Sequence, residues 1–298
     1  MSWPATGPPA SSERMTAADV LVGAADLHCH FGPDAHRERS VDALEAAREA
    51  AAAGHAAVVL KAHDTPTAQL AAVVDRAVEG VRVFGGICCD REVGGLNPAA
   101  VETALRLGAK IVWLPTLTSH QDVLNGVAAA LGLPGPGLRV TDDDGELLAE
   151  TRAVLDLVAE HGAVLATGHV TADEHHAAVR AFAGRGPVLV THAMEELAGP
   201  KLTVAQCVEL ADLGATIELC AMTCIGGLAT RTPADMAACV RAVGPARCTL
   251  ATDFGQKLNP RPAEGLARYV EALLAEGLAE DDLRLMACAN PSRLLGLA

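Results

Sequence analysis

Ala24-Ala25-Asp26-Leu27-His28-Cys29-His30 is a short apolar run that ends in a His-x-His pair. Too short for a helix and closed by polar punctuation, the run predicts a buried strand over residues 24–27. Seven more runs of this kind follow, at 56–61, 81–88, 111–115, 163–167, 187–191, 216–220 and 249–252. The stretches between them are rich in alanine and leucine at helical period, so strand and helix alternate eight times, as in a parallel sheet of βα units. Eight units close a barrel, whereas an open sheet more often stops at about five to seven strands. The expected fold is therefore α/β, a single (β/α)8 TIM barrel over residues 21–298.

Local signals agree with that count. Thr65-Pro66, Asn97-Pro98, Thr232-Pro233 and Asn290-Pro291 each place a capping side chain before a proline, which suits a first helical turn because the missing N–H is not needed there. Gly54, Gly80, Gly108, Gly162 and Gly214 each fall shortly before a strand, as helix-terminating glycines do. Segment 119–145 breaks the short-loop pattern with Gly-Leu-Pro-Gly-Pro-Gly at 132–137, and 139–147 reads as a small β-hairpin. An insertion after the fourth strand, lying over the mouth of the barrel, is the expectation. Residues 1–20 are expected to form an N-terminal tail, disordered or draped, with neither the basic nor the apolar region of a signal peptide.

A net charge of −14 sets the chain against nucleic acid and anionic membrane surfaces, since both would repel it. No apolar run reaches the length of a membrane span. Half the residues are apolar but only 2% are aromatic, so the core must rest on Ala, Val, Leu and Ile. The nine cysteines lie mostly inside apolar runs and are odd in number, which predicts reduced buried thiols and a cytoplasmic location. A small-molecule substrate is the expected partner, and a homo-oligomer is compatible with the sequence.

In a (β/α)8 barrel all strand C-termini meet at one face, so His28, His30, His169, His192 and Asp253 are expected to converge there. Each histidine alone reads equally well as a surface or core residue; the order His-x-His, His, His, Asp on strands one, five, six and eight is what carries the metal reading. Neutral imidazole and carboxylate suit one or two divalent ions, with Zn²⁺ first and Mn²⁺ or Co²⁺ as alternatives. His63 and His120 follow the second and fourth strands and face the same mouth. Arg231, Lys257 and Arg261 follow the seventh and eighth, where a cation could clamp a substrate carboxylate or phosphate. The rim is the plainer reading of each. Gly85-Gly86 and Gly94-Gly95 could present amides to an anion or make tight turns. Cys220 and Cys224 read as core packing. Glu218, inside the seventh strand, is either the buried partner of a ligand histidine or a surface residue.

With these residues in place the sequence resembles the amidohydrolase superfamily of metal-dependent hydrolases. Asp26-Leu27-His28-Cys29-His30 looks like its first-strand motif, and His169, His192 and Asp253 match its later ligand positions. Val59-Leu60-Lys61-Ala62-His63, Val83-Phe84-Gly85-Gly86-Ile87, Val93-Gly94-Gly95-Leu96-Asn97-Pro98 and Ala166-Thr167-Gly168-His169 resemble a little-characterised branch known mainly as a domain of unknown function. The resemblance implies an activated water attacking an amide, cyclic amide, lactone or related bond, with Asp253 as general base. The superfamily's usual bridging carboxylated lysine ends the fourth strand, but here Lys110 lies at that strand's wrong end. Lys61, ending the second strand, is the candidate replacement, either carboxylated and bridging or left as a cation that binds substrate. A phosphoesterase of the histidinol-phosphatase type and a non-catalytic ligand-binding barrel are the alternatives.

Overall fold

The computed structural model describes residues 16–133 and 135–297; residues 1–15 of the expected tail lie outside them. Eight parallel strands, β1 Ala25–His30, β2 Ala57–Lys61, β3 Arg82–Cys88, β4 Ile111–Trp113, β5 Val164–Ala166, β6 Val188–Val190, β7 Thr216–Cys220 and β8 Cys248–Ala251, pair in sequence order. The barrel closes where β1 meets the end of β8: Asp253 N–H donates to His28 O at 2.8 Å and His30 N–H to Phe254 O at 2.8 Å. Asp26 staples the same seam, its carboxylate accepting from the N–H of His28 and from both the N–H and the hydroxyl of Thr252. Burial lifts the Asp26 carboxyl to about 6, against those donors.

The helices are α1 Ala17–Val20, α2 Ala43–Ala52, α3 Ala68–Ala77, α4 Pro98–Arg106, α5 His120–Leu124, α6 Val127–Ala130, α7 Ala149–Glu160, α8 Ala172–Phe182, α9 Val204–Asp212, α10 Pro233–Val243, α11 Pro262–Ala275, α12 Glu280–Arg284 and α13 Asn290–Leu295. Asn97 and Thr232 cap α4 and α10 as their sequence predicts, each side chain accepting from an N–H of the first turn. Two other expected starts are corrected. Helix α3 begins after Thr67, not at Pro66, and the Thr67 hydroxyl bonds across β2 and β3, donating to Leu60 O at 2.7 Å and accepting from Gly86 N–H at 2.8 Å. Asn290 is no cap: a π-helical turn, Leu285–Ala289, runs straight into α13, and the Asn290 amide donates to Pro245 O and Cys248 O.

Between β4 and α7 the chain forms α5, α6 and an antiparallel bridge from Thr141 to Leu147, the place of the expected hairpin. Thr16 caps α1 within the expected tail, and Ala17 and Val20 are buried. Gly85 and Gly86 lie inside β3 and not in a turn. A Cβ on Gly86 would come within 2.3 Å of Ile111 O, so strand contact demands the glycine. All nine cysteines are free, and only Cys288 is not buried. No helix among the described residues is long and apolar enough to cross a membrane.

Candidate metal centre

His28 and His30 belong to β1 itself, two residues apart on one face of the strand, and both aim inward at the C-terminal end of the barrel. Their Nε2 atoms stand 3.3 and 3.1 Å from the same Asp253 oxygen, Oδ1. His28, His30 and Asp253 form a buried group that could hold a metal ion, with potential ligand atoms all within 4.8 Å of one another. Across the barrel, His169 and His192 follow β5 and β6, and their Nε2 atoms are 2.8 Å apart. The two histidine pairs meet through His28 and His192, whose ring centroids are 5.7 Å apart.

Getting these side chains inward takes special backbone. Gly168 has φ 66°, and a Cβ there would strike Leu114 O at 2.3 Å, so only glycine lets the chain turn behind β4 and deliver His169. His192 and Asp253 themselves adopt φ of 25° and 53°. A non-glycine residue in that region costs about 1–3 kcal/mol, and such costs concentrate at functional sites.

Burial drives the pKa of His28, His30, His169 and His192 well below the imidazole range, so all four rings are neutral and can offer lone pairs. Carboxylates fix which nitrogen does so. His28 Nδ1–H donates to Glu218 Oε2 at 3.0 Å, and His169 Nδ1–H to Asp122 Oδ2 at 2.6 Å, leaving each Nε2 unprotonated and facing the cluster. Glu218 Oε2 also accepts from His192 N–H at 3.1 Å, and Asp122 Oδ1 from Gly199 N–H at 2.7 Å. Burial raises both carboxyls, Asp122 to about 7. It also pushes Asp253 well above the carboxylate range, with Lys61 pulling the other way.

Lys61 is 1% exposed, and its Nζ has no hydrogen-bond partner among the described residues. It lies 5.6 Å from the Trp113 ring centroid and lines a cavity of about 400 Å³. His30, His63, His169, His192 and Asp253 line the same cavity; Leu117, Val127, Ala130, Leu197 and Leu228 add an apolar wall. Of the other expected substrate contacts, three do not line it. His120 turns to Arg139 at 2.7 Å, Lys257 pairs with Glu38 at 2.5 Å, and Arg231 pairs with Glu196 at 2.9 Å. Arg261 is tied to Glu49.

Sequence reasoning passed over Asp122 and Asp90. Asp122 sits three residues after Ser119, a spacing that reads as a helix cap, and Ser119 does accept from Asp122 N–H at 3.1 Å. Its carboxylate serves His169 instead. Asp90 follows the Cys88-Cys89 end of the third run, a strand-end acid like Asp253, and that signal was available.

A family model described as "Family of unknown function (DUF6282)" matches residues 23–218. Comparison with curated protein sequences gives no match. Among solved structures, an amidohydrolase from Pseudomonas aeruginosa is similar with TM-score 0.63 and 15% identity, over 94% of this chain and 98% of that one. The probable dipeptidase PvdM from Pseudomonas aeruginosa follows at 0.66 and 11%, over 94% and 96%. N-acetyl-D-glucosamine-6-phosphate deacetylase from Mycobacterium smegmatis gives 0.54 and 17%, over 98% and 82%. At these identities the likeness is one of fold.

Proposed function

The chain belongs to the DUF6282 family, and on that footing we propose that it is a metal-dependent hydrolase of a small molecule, cleaving an amide, cyclic amide, lactone or related C–N or C–O bond. The observation that carries this is the donor set: four neutral buried imidazoles, of which His28 and His169 have their Nε2 lone pairs oriented by carboxylates, around an Asp253 oxygen shared by His28 and His30. Such a set fits Zn²⁺, Mn²⁺ or Co²⁺. His28, His30 and Asp253 would hold one ion, and His169 and His192 a second. Similar folds in an amidohydrolase and a deacetylase agree with hydrolysis.

In a two-ion site Lys61 would supply the bridge. As a free amine it would add to CO2 through the nitrogen lone pair, forming an N–C bond and releasing one proton to solvent, and the resulting carbamate would offer two oxygens. The buried Nζ supports this, because an ammonium there would lack a hydrogen-bond acceptor among the described residues. When bound, the ion lowers the pKa of a water and polarises the substrate carbonyl. Asp253 takes the proton from the attacking water and hands it to the leaving group. The apolar wall excludes bulk water and seats the rest of the substrate.

The test is metal content and turnover on a panel of small amides, cyclic imides and lactones. Purified protein is expected to carry up to two divalent ions, excess chelator to abolish hydrolysis, and Zn²⁺, Mn²⁺ or Co²⁺ to restore it. Lys61→Ala is expected to lose one ion and most activity, with partial rescue by short carboxylic acids. Turnover unchanged in metal-free protein would end the proposal, and Lys61→Ala retaining both ions would remove the bridge.

A further inference from the structure

His63 follows β2, is buried and lines the cavity, yet the donor set above leaves it without a role. Its ring stacks on His30 at 4.8 Å and meets His169 edge-on at 5.9 Å, which puts it beside both halves of the cluster. Behind it runs a buried relay. His63 Nδ1 is 2.7 Å from Thr116 Oγ1, which bonds to Asp90 Oδ2. The other Asp90 oxygen accepts from Thr116 N–H at 3.0 Å, Thr118 N–H at 2.9 Å and the Thr118 hydroxyl at 2.6 Å.

Proton counting then fixes the tautomer. Four donors converge on Asp90, so it is an acceptor throughout, and Thr116 gives its single hydroxyl proton to it. Thr116 Oγ1 can therefore only accept from His63, which places the ring proton on Nδ1 and leaves Nε2 as a lone pair. His63, Cys88 and Asp90 are close enough to hold an ion, but His63 Nδ1 is turned to Thr116 and Asp90 already accepts from four donors, three of them on one oxygen. Nδ1 faces the wall, so Nε2 faces the cavity, where it makes no protein hydrogen bond among the described residues.

We propose that His63 determines specificity by accepting a hydrogen bond from an N–H or O–H of the substrate beside the reacting bond, with Thr116 and Asp90 as the positioning residues that keep it an acceptor. This rests on the hydrolase reading and narrows it. Amides, ureides and cyclic imides that carry N–H are favoured, and lactones and N-alkylated amides, which leave Nε2 unpaired, are disfavoured. Sites built around a polar partner reject analogues that lack it by as much as about 10⁴-fold.

The experiment needs no turnover. Side-chain ¹H–¹⁵N spectra of histidine-labelled protein, metal-loaded and metal-free, are expected to show His63 protonated at Nδ1, and Thr116→Val to redistribute the proton between the nitrogens. Succinimide is then titrated against N-methylsuccinimide. Succinimide is expected to bind at least about tenfold more tightly and to shift the His63 Nε2 signal, with the preference lost in Thr116→Val. A wild-type Nε2–H tautomer, equal binding of the two imides, or binding of neither overturns the proposal. Failure of the hydrolase reading would appear separately, as absent metal or chelator-insensitive turnover.

Discussion

On the β1–β8 side of the site the histidines are rungs of the sheet, whereas on the β5–β6 side they stand on turns beyond the strands. His30 is paired with Lys61 on one flank and donates to Phe254 O on the other, and His28 O takes the Asp253 N–H, so neither can move unless the seam moves. His169 keeps a single bond of this kind, its N–H donating to Pro115 O at 2.9 Å, and His192 gives its N–H to the Glu218 side chain instead. They depend on Gly168 and on a left-handed His192, and on carboxylates reaching in from α5 and β7. The candidate ligands are thus held mainly by backbone on one side and mainly by side chains on the other, and a point change that spares the barrel should loosen the second side more than the first.

The severest test falls on the residue where the two sides meet. Asp253→Asn is expected to leave the fold intact, because Asp253 N–H still donates to His28 O. It should cut kcat by about 10²–10⁴-fold on whichever panel substrate is turned over, since an amide does not take the water's proton. Near-normal kcat with metal still bound would move the base elsewhere.

The next pair separates the sides. Glu218→Gln disturbs His28 and His192 together, so metal affinity, measured by competition with a chelator, should fall about 10–100-fold for both ions. Asp122→Asn reaches His169, Gly199 and Asn125 but neither His28 nor His30, and the loss should be confined to the ion that His169 and His192 would hold. Equal losses for both ions in Asp122→Asn would mean that the site is one unit and the contrast between its sides is false.

The smallest effect concerns the loop between β1 and α2. Burial works to raise the Asp34 carboxyl, but Arg39 and the N–H groups of His36 and Arg37 outweigh it and hold it below the ordinary range. A lowered folded pKa contributes stability that is full above the unfolded value of about 3.9 and is lost as pH falls through the folded one. Thermal melts of Asp34→Asn against wild type should therefore differ at neutral pH and converge in acid. A gap that widens toward low pH would reverse the sign.

What could be read from sequence follows the same division. His28, His30, His169, His192 and Asp253 stood out because a polar residue ending an apolar run is out of place unless it is used, and the eight-run rhythm placed those ends on one face. The carboxylates that orient them did not stand out, since an aspartate in a polar loop is ordinary. His120 and Asp122 show the limit: two residues apart on α5, they point about 200° apart around the helix, and the sequence does not say which faces the mouth. Lys257 and Arg231 looked like free cations because Glu38 and Glu196, their neighbours in space, lie far away or in another loop along the chain.

The seam stapled by Asp26 and Thr252 has a temporal meaning. These two residues are 226 positions apart, and the shared Asp253 oxygen reaches His28 and His30 only across that junction. Closing so long a loop is among the slowest events in folding, because its entropy must be met before the contacts repay it. A nascent chain that has made β1 through β7 already displays four of the histidines but lacks the carboxylate that unites the first two. On the proposed assignment, full ion capture would wait until β8 docks, and a chain stalled before that point would offer only an open set of imidazoles.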